Sequence, residues 1–146
     1  MPSDSFQLRA ARPEDADALV GLLAQLGYPD TAAFMARRLA EQLGHADAWL
    51  RVAADGSRVL GFISLHFMPQ LALAGDFCRV SYLCVGEGAR DRGIGEALLA
   101  AAEQEARRRG CDRMELHCDQ RRTAAHRFYE RLGYSDAPRY YRKALD

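Results

Sequence analysis

The sequence predicts an α/β domain built on a mixed sheet, and three observations carry that prediction. Residues 80 to 85 (VSYLCV) form an apolar run rich in β-branched and aromatic side chains, and from Ile94 onward the apolar residues recur at helical spacing, so a strand feeds a helix. Residues 48–53 and 59–67 read as strands joined across Asp55-Gly56-Ser57-Arg58, a turn sequence that makes antiparallel hairpins. Residues 113–118 form a further strand, and its approach from the central strand through a helix predicts a right-handed parallel β-α-β unit. At 146 residues the chain has the size of a single domain, residues 1–146, with one sizeable core.

The remaining elements follow in chain order. Phe6 to Ala11 is a short strand, and Arg12-Pro13-Glu14-Asp15 is a helix start, with proline and acidic residues in the first turn. Ala16, Leu19, Val20, Leu23 and Leu26 share one face of that helix, and Gly27 ends it. Pro29-Asp30-Thr31 opens a second helix with Met35, Leu39 and Leu43 at i, i+4 spacing and Gly44 as its stop. Pro69 turns residues 69–75 into loop, and the apolar stretch from Gln70 to Gly75 is expected to wall a pocket. Ile94 to Arg109 is the longest helix, with Glu103 to Arg107 and Glu105 to Arg109 in the favourable order. Thr123 caps a last helix, Ala124 to Leu132, and residues 140–143 read as a closing edge strand.

Composition excludes several functions. Twenty basic and twenty acidic residues balance, so no net field draws nucleic acid or an anionic membrane, and the three arginines 107–109 are a solvated helix end. The N-terminal MPSDSFQLRA has neither a basic n-region nor an apolar h-region, and no apolar run spans a bilayer, which predicts a cytoplasmic protein. Cys78, Cys84, Cys111 and Cys118 form no C-x-x-C pair and lie in or beside strands, so they are expected to pack as reduced thiols and to hold no metal.

The chemistry concentrates between the central strand and the long helix, at Arg90-Asp91-Arg92-Gly93-Ile94-Gly95. Glycines there admit backbone angles closed to other residues, and a helix start leaves N–H groups and a partial positive charge for an anion. Arg90 and Arg92 add charge-assisted hydrogen bonds. The phosphate ligand is not a hydrolysed nucleotide, since a Walker loop needs Gly-Lys and the sole lysine is Lys143. It is not a dinucleotide either, because Leu98 stands where G-x-G-x-x-G requires its third glycine. R-x-x-G-x-G after a strand and before a helix resembles the acyl-CoA pyrophosphate motif of the GNAT superfamily of N-acetyltransferases. Residues 121 to 134, RRTAAHRFYERLGY, resemble that superfamily's second signature, with Ala125, Phe128, Tyr129, Gly133 and Tyr134 falling on it. The general layout is most similar to bacterial aminoalkylphosphonate and small-amine N-acetyltransferases.

The resemblance implies a GNAT-like α/β (α+β) fold, with a mixed, mostly antiparallel central sheet flanked by about four helices. It also implies acetyl-CoA as cosubstrate and direct transfer of the acetyl group to the primary amine of a small molecule. Arg90, Asp91, Arg92, Gly93, Ile94, Gly95 and Arg122 are then expected to bind the cofactor, and main-chain N–H groups over Leu83, Cys84 and Val85 to polarise its carbonyl. Tyr129 is the expected catalytic residue, because a phenol of pKa ~10 is protonated at neutral pH and can donate to a departing thiolate. Tyr82 stands where relatives often carry a glutamate, which leaves the general base open. His66 and His117 are its candidates, since imidazole takes a proton near pH 7, whereas His126 points away from the Tyr129 face. Cys84 has no evident acid–base partner for an acyl-enzyme route. The expected partner is a small-molecule amine acceptor, with no nucleic acid and no membrane, and a homodimer is compatible with the chain. The rival readings are a protein acetyltransferase acting on lysine or an N-terminus, and a non-catalytic acyl-CoA-binding module.

Overall fold

A computed structural model describes residues 5–118, 121–137 and 140–145. Its five-stranded sheet runs in sequence order: β1 (Gln7–Ala10), β2 (Ala48–Asp55), β3 (Arg58–Met68), β4 (Phe77–Val85) and β5 (Arg113–Leu116). The first four strands pair antiparallel. The helices are α1 (Ala16–Leu26), α2 (Met35–Leu43), α3 (Ile94–Arg108) and α4 (Thr123–Arg131). The chain divides into two compact units, residues 1–115 and 116–146, the first holding nearly the whole sheet and the second holding α4.

In the first unit, strand alternation sorts the two faces of the sheet. Leu50, Val52, Phe62 and Cys84 form one buried cluster with Leu19 and Leu22 of α1 and Met35 and Leu39 of α2. The odd-numbered neighbours Ile63 and Leu65 are fully buried on the other face. There α3 presents Ile94, Leu98, Leu99, Ala102 and Ala106, spaced as one helical stripe. Leu98 is entirely out of solvent, a burial worth about 1.5–3 kcal/mol.

Differences from the sequence expectations concentrate at element ends and have local causes. Helix α1 is preceded by a 3₁₀ turn at Pro13–Asp15, and α2 begins at Met35, because residues 32–34 form a turn instead of a first helical coil. Arg122, not Thr123, occupies the cap position of α4. Residues 140–145 form no strand, and the Tyr140 ring stacks on His117 with centroids 3.9 Å apart. Among the described residues the leucines of the loop after β3 stand in solvent, Leu71 fully exposed and Leu73 nearly half exposed. Its main chain is what is held: Gln70 Nε2 donates to Gly75 O at 2.8 Å, and Gly75 N–H donates to the Asp112 carboxylate. The arginines ending α3 are paired as spacing predicts, Arg107 with Glu103 and Arg109 with Glu105, and Arg108 joins Glu105 as well. The hydrogen bond from Arg108, reinforced by Arg109 against the penalty of burial, holds the Glu105 carboxyl at about 2. Arg109 also donates to Ala46 O at 2.9 Å and covers the Phe67 ring at 3.9 Å, so it ties α3 to the sheet.

The edge strand β1 is secured by a buried ion pair. Arg9 meets both oxygens of Asp15 at 2.9 Å, and the Arg12 N–H donates to Asp15 at 2.8 Å. The Arg9 hydrogen bond, helped by the Arg12 N–H, holds the Asp15 carboxyl below its ordinary value despite burial. Asp15→Ala should therefore cost about 2–4 kcal/mol at neutral pH, because it strands a guanidinium that is itself four-fifths covered. A depressed carboxyl pKa contributes stability that is complete above the unfolded value and lost as pH falls through the folded one. The gap between wild type and Asp15→Ala in urea denaturation should thus be full at pH 7 and shrink below about pH 4.

Candidate active site

The end of β4 is shaped by its neighbour. Gly61 on β3 lies opposite Val85, and a Cβ there would stand 2.7 Å from Cys84 O, 3.3 Å from Val85 Cα and 3.4 Å from a methyl of Ile94. Only glycine lets β3, β4 and the start of α3 meet so closely. The Gly86 N–H donates to Leu60 O at 2.8 Å, which sets the phase of the ladder. Because N–H groups alternate along a strand, Cys84 shares the β3-facing phase of Gly86, while the N–H groups of Leu83 and Val85 point to the opposite edge. Of the three residues expected to polarise a carbonyl, Cys84 therefore spends its N–H on the sheet, and Leu83 and Val85 direct theirs away from β3. The Cys84 thiol is buried and donates to Leu22 O at 3.2 Å, a packing role.

Beyond β4 the chain makes a 3₁₀ turn at Glu87–Ala89 and then the loop 90–93. Asp91 and Gly93 both take left-handed backbone angles, φ 66° and 77°, and Gly93 is the cap residue of α3. Two left-handed residues thus flank Arg92 immediately before the first turn of α3, where a helix leaves main-chain N–H groups unpaired. A side chain at Gly93 would meet no atom within 4 Å, so what requires glycine there is the backbone angle. Arg90 Nε reaches Val85 O at 3.5 Å, which leans its exposed side chain along the edge that the Leu83 and Val85 N–H groups face. Ile94 anchors this turn from below with 1% exposure. Glu87 is held elsewhere: its N–H donates to Gln25 Oε1 at 2.9 Å, and it lines a cleft of about 260 Å³ with Asp17, Gly21, Arg58 and Gly88.

In the second unit, α4 carries Tyr129 on a half-buried face. Its ring makes edge contacts with Phe128, at 5.2 Å, and Tyr134, at 5.8 Å, and Tyr134 N–H donates to Tyr129 O at 3.0 Å to close the helix. Burial pushes the phenol up to about 12, with Cys118 adding to the rise and Arg122 opposing it, so Tyr129 holds its proton throughout the physiological range. Arg122 is exposed at the start of α4, with Nη1 4.0 Å from Cys118 Sγ. His117 is stacked on Tyr140.

The structure separates the two histidine candidates by their surroundings. His66, on β3, has both ring nitrogens engaged, Nδ1 with Ser81 Oγ at 2.7 Å and Nε2 with Gln42 Oε1 at 2.9 Å. Ser81 and Gln42 are the residues that sequence reading missed. Gln42 lies on a helix whose apolar stripe draws attention to other positions, and Ser81 sits inside an apolar strand run. The register of β3 with β4 breaks between Ser64 and Leu65, so that Val80 and Tyr82 have partners and Ser81 is the extra residue of a bulge.

A five-stranded sheet in sequence order, with a glycine-containing loop leading from β4 into a long helix, is the α/β class that this chain presents, and its sequence matches the acetyltransferase (GNAT) family model over residues 16–134. The chain belongs to that family, whose members transfer an acetyl group from acetyl-CoA, and it is an acetyl-CoA-dependent N-acetyltransferase. It is 36% identical to the aminoalkylphosphonate N-acetyltransferase of Salmonella typhimurium, over 95% of this chain and 91% of that one. It is also 36% identical to the mycothiol acetyltransferase of Salinispora tropica, over 90% of this chain and 45% of that longer protein. Among solved structures, a transcriptional regulator from Bacillus halodurans superposes with a TM-score of 0.89 at 25% identity, covering 97% of this chain and all of the other.

Proposed function

We propose that this chain acetylates the primary amine of a small molecule. The observation that carries the reading is the identity to the Salmonella aminoalkylphosphonate N-acetyltransferase, which runs through nearly the full length of both proteins. The first unit supports it locally: Tyr28 and Tyr82 meet edge to face at 5.4 Å and stay 50% and 37% exposed, an open aromatic corner beside β4 that suits a compact ammonium. The acceptor assignment is tested by thiol release from acetyl-CoA with a panel of aminoalkylphosphonates, other small primary amines and lysine peptides. Turnover on the small amines exceeding that on peptides by tenfold or more is expected, and the reverse order overturns the reading.

In this proposal the 90–95 loop holds the cofactor pyrophosphate on main-chain N–H groups, with Arg90, Arg92 and Arg122 supplying positive charge. The N–H groups of Leu83 and Val85 face the thioester carbonyl, where they stabilise the charge that develops on its oxygen. The acceptor nitrogen attacks directly, and Tyr129, which keeps its proton at working pH, gives it to the departing sulfur. Placing valine where φ is +77° distorts the cradle, so Gly93→Val should weaken acetyl-CoA binding at least tenfold, ~1.4 kcal/mol by calorimetry, in a variant that remains folded.

Tyr129→Phe should lower the single-turnover rate by roughly 10²–10⁴ with little change in acetyl-CoA affinity. Because the Tyr129 phenol titrates at about 12, no inflection of the wild-type rate below pH 10 should disappear in this variant. Equal single-turnover rates in the two proteins would leave the Tyr129 ring as a packing residue.

A further inference from the structure

The bulge on β4 and the hydrogen bonds of His66 together form a chain of polar atoms that the family signature does not include. Ser81 has no partner in the β3 register, and its Oγ lies 2.7 Å from His66 Nδ1. His66 in turn reaches α2 through Gln42 Oε1 at 2.9 Å. An amide oxygen only accepts, so Nε2 carries the proton and Nδ1 is the acceptor for the Ser81 hydroxyl. That bond brings the Ser81 side chain to the sheet face covered by α1 and α2. Tyr82, the next residue, faces the same way, since its ring meets Tyr28 just beyond α1. A bulge is what allows two consecutive residues to share one face. Ser81 therefore stands beside the open tyrosine corner, two residues, about 6–7 Å along the strand, before the Leu83 N–H.

We propose that Ser81 and His66 form the proton relay that deprotonates the acceptor amine, with Ser81 as the group that touches the substrate and His66 acting through it. The inference rests on the amine-acetylation reading above. As the ammonium nitrogen gives a proton to Ser81 Oγ, the Ser81 hydroxyl proton passes to His66 Nδ1. The nitrogen keeps the lone pair that forms the C–N bond, the C–S electron pair leaves with the sulfur, which takes the Tyr129 proton, and the second proton that the nitrogen sheds on becoming an amide goes to solvent, from which Tyr129 is reprotonated. His66 becomes an imidazolium whose two N–H groups donate to Ser81 and Gln42, and it returns its proton to solvent after the products leave. The groups facing His66 are His45 after α2 and Arg79 on β4, and across from it on β2 stands the uncharged Ala48. Burial first, then repulsion from the His45 and Arg79 side chains, holds His66 below its ordinary value, so it is neutral and able to accept at pH 7.

The test joins a spectroscopic titration to a rate profile. The His66 imidazole is titrated by NMR in wild type and in Gln42→Glu, and kcat/KM is followed over pH 5–9 with 2-aminoethylphosphonate. The same profile is taken with no amine, when water attacks the thioester and has an equivalent proton to lose. A carboxylate at position 42 favours the imidazolium, so the His66 pKa should rise by about one unit or more, and the acid limb of the rate should move up with it by the same amount. Ser81→Ala should lower kcat at pH 7 by roughly 10²–10⁴ with acetyl-CoA affinity kept, and Ser81→Thr should restore part of it. A Gln42→Glu protein whose His66 titrates higher while the rate limb stays in place overturns the relay, as does unchanged turnover in Ser81→Ala. A wild type active on water and silent on every small amine overturns the acceptor reading instead, and the water profile then still decides on the relay.

Discussion

The close approach of β3 to β4 at Gly61 is the constraint on which the rest of the first unit depends. With no side chain there, Cys84 O and Val85 Cα lie where a Cβ would otherwise intrude, and Ile94 settles against the same point. One position thereby lets the end of β4 and the start of α3 pack against β3 at the same point, where the Gly86 N–H bond to Leu60 O sets the ladder phase. The loop of residues 90–93 has only to bridge two ends that are already placed, and it does so with left-handed angles at Asp91 and Gly93. The cost of holding aspartate at φ 66° is offset because the flanking strand and helix leave the loop few alternatives.

The same ladder carries a second irregularity with a different consequence. Inserting Ser81 breaks the alternation that otherwise sends successive residues to opposite faces. Val80 stays in the core under α3 at 5% exposure, and Ser81 and Tyr82 turn together toward α1 and α2. An uninterrupted strand would have buried one of these two polar side chains beneath α3 without a partner, at a cost of a few kcal/mol. Instead, the bulge gives Ser81 a histidine and leaves Tyr82 open to solvent. Electrostatics in this region are tuned by burial more than by charge, since the chain as a whole balances its acidic and basic residues.

Much of the architecture was legible because it follows from local chemistry. The period of apolar residues located α1, α3 and the central strands, the Asp-Gly turn specified the β2–β3 hairpin, and Gly27 ends α1 in the left-handed conformation expected of it. The i, i+4 charge pairs on α3 formed because helix geometry alone puts them side by side. Segments without strong periodicity were less legible. The start of α2 moved by a turn, residues 140–143 made no strand, and the leucines after β3 stand in solvent, because in each case the outcome depends on what a distant segment offers as a partner.

The candidate site residues divide along the same line. The cradle of residues 90–95 and the tyrosine of α4 sit in motifs whose spacing is set within a single loop or helix, so sequence by itself determined them as candidates and determined the family. Which main-chain N–H groups of β4 face away from β3 depends on ladder phase, a property of two strands at once, and only the tertiary structure could assign Leu83 and Val85 and withdraw Cys84. The partners of His66 were equally out of reach. Ser81 is 15 residues away and Gln42 24 residues away, and their meeting depends on a one-residue bulge that no propensity in an apolar run announces.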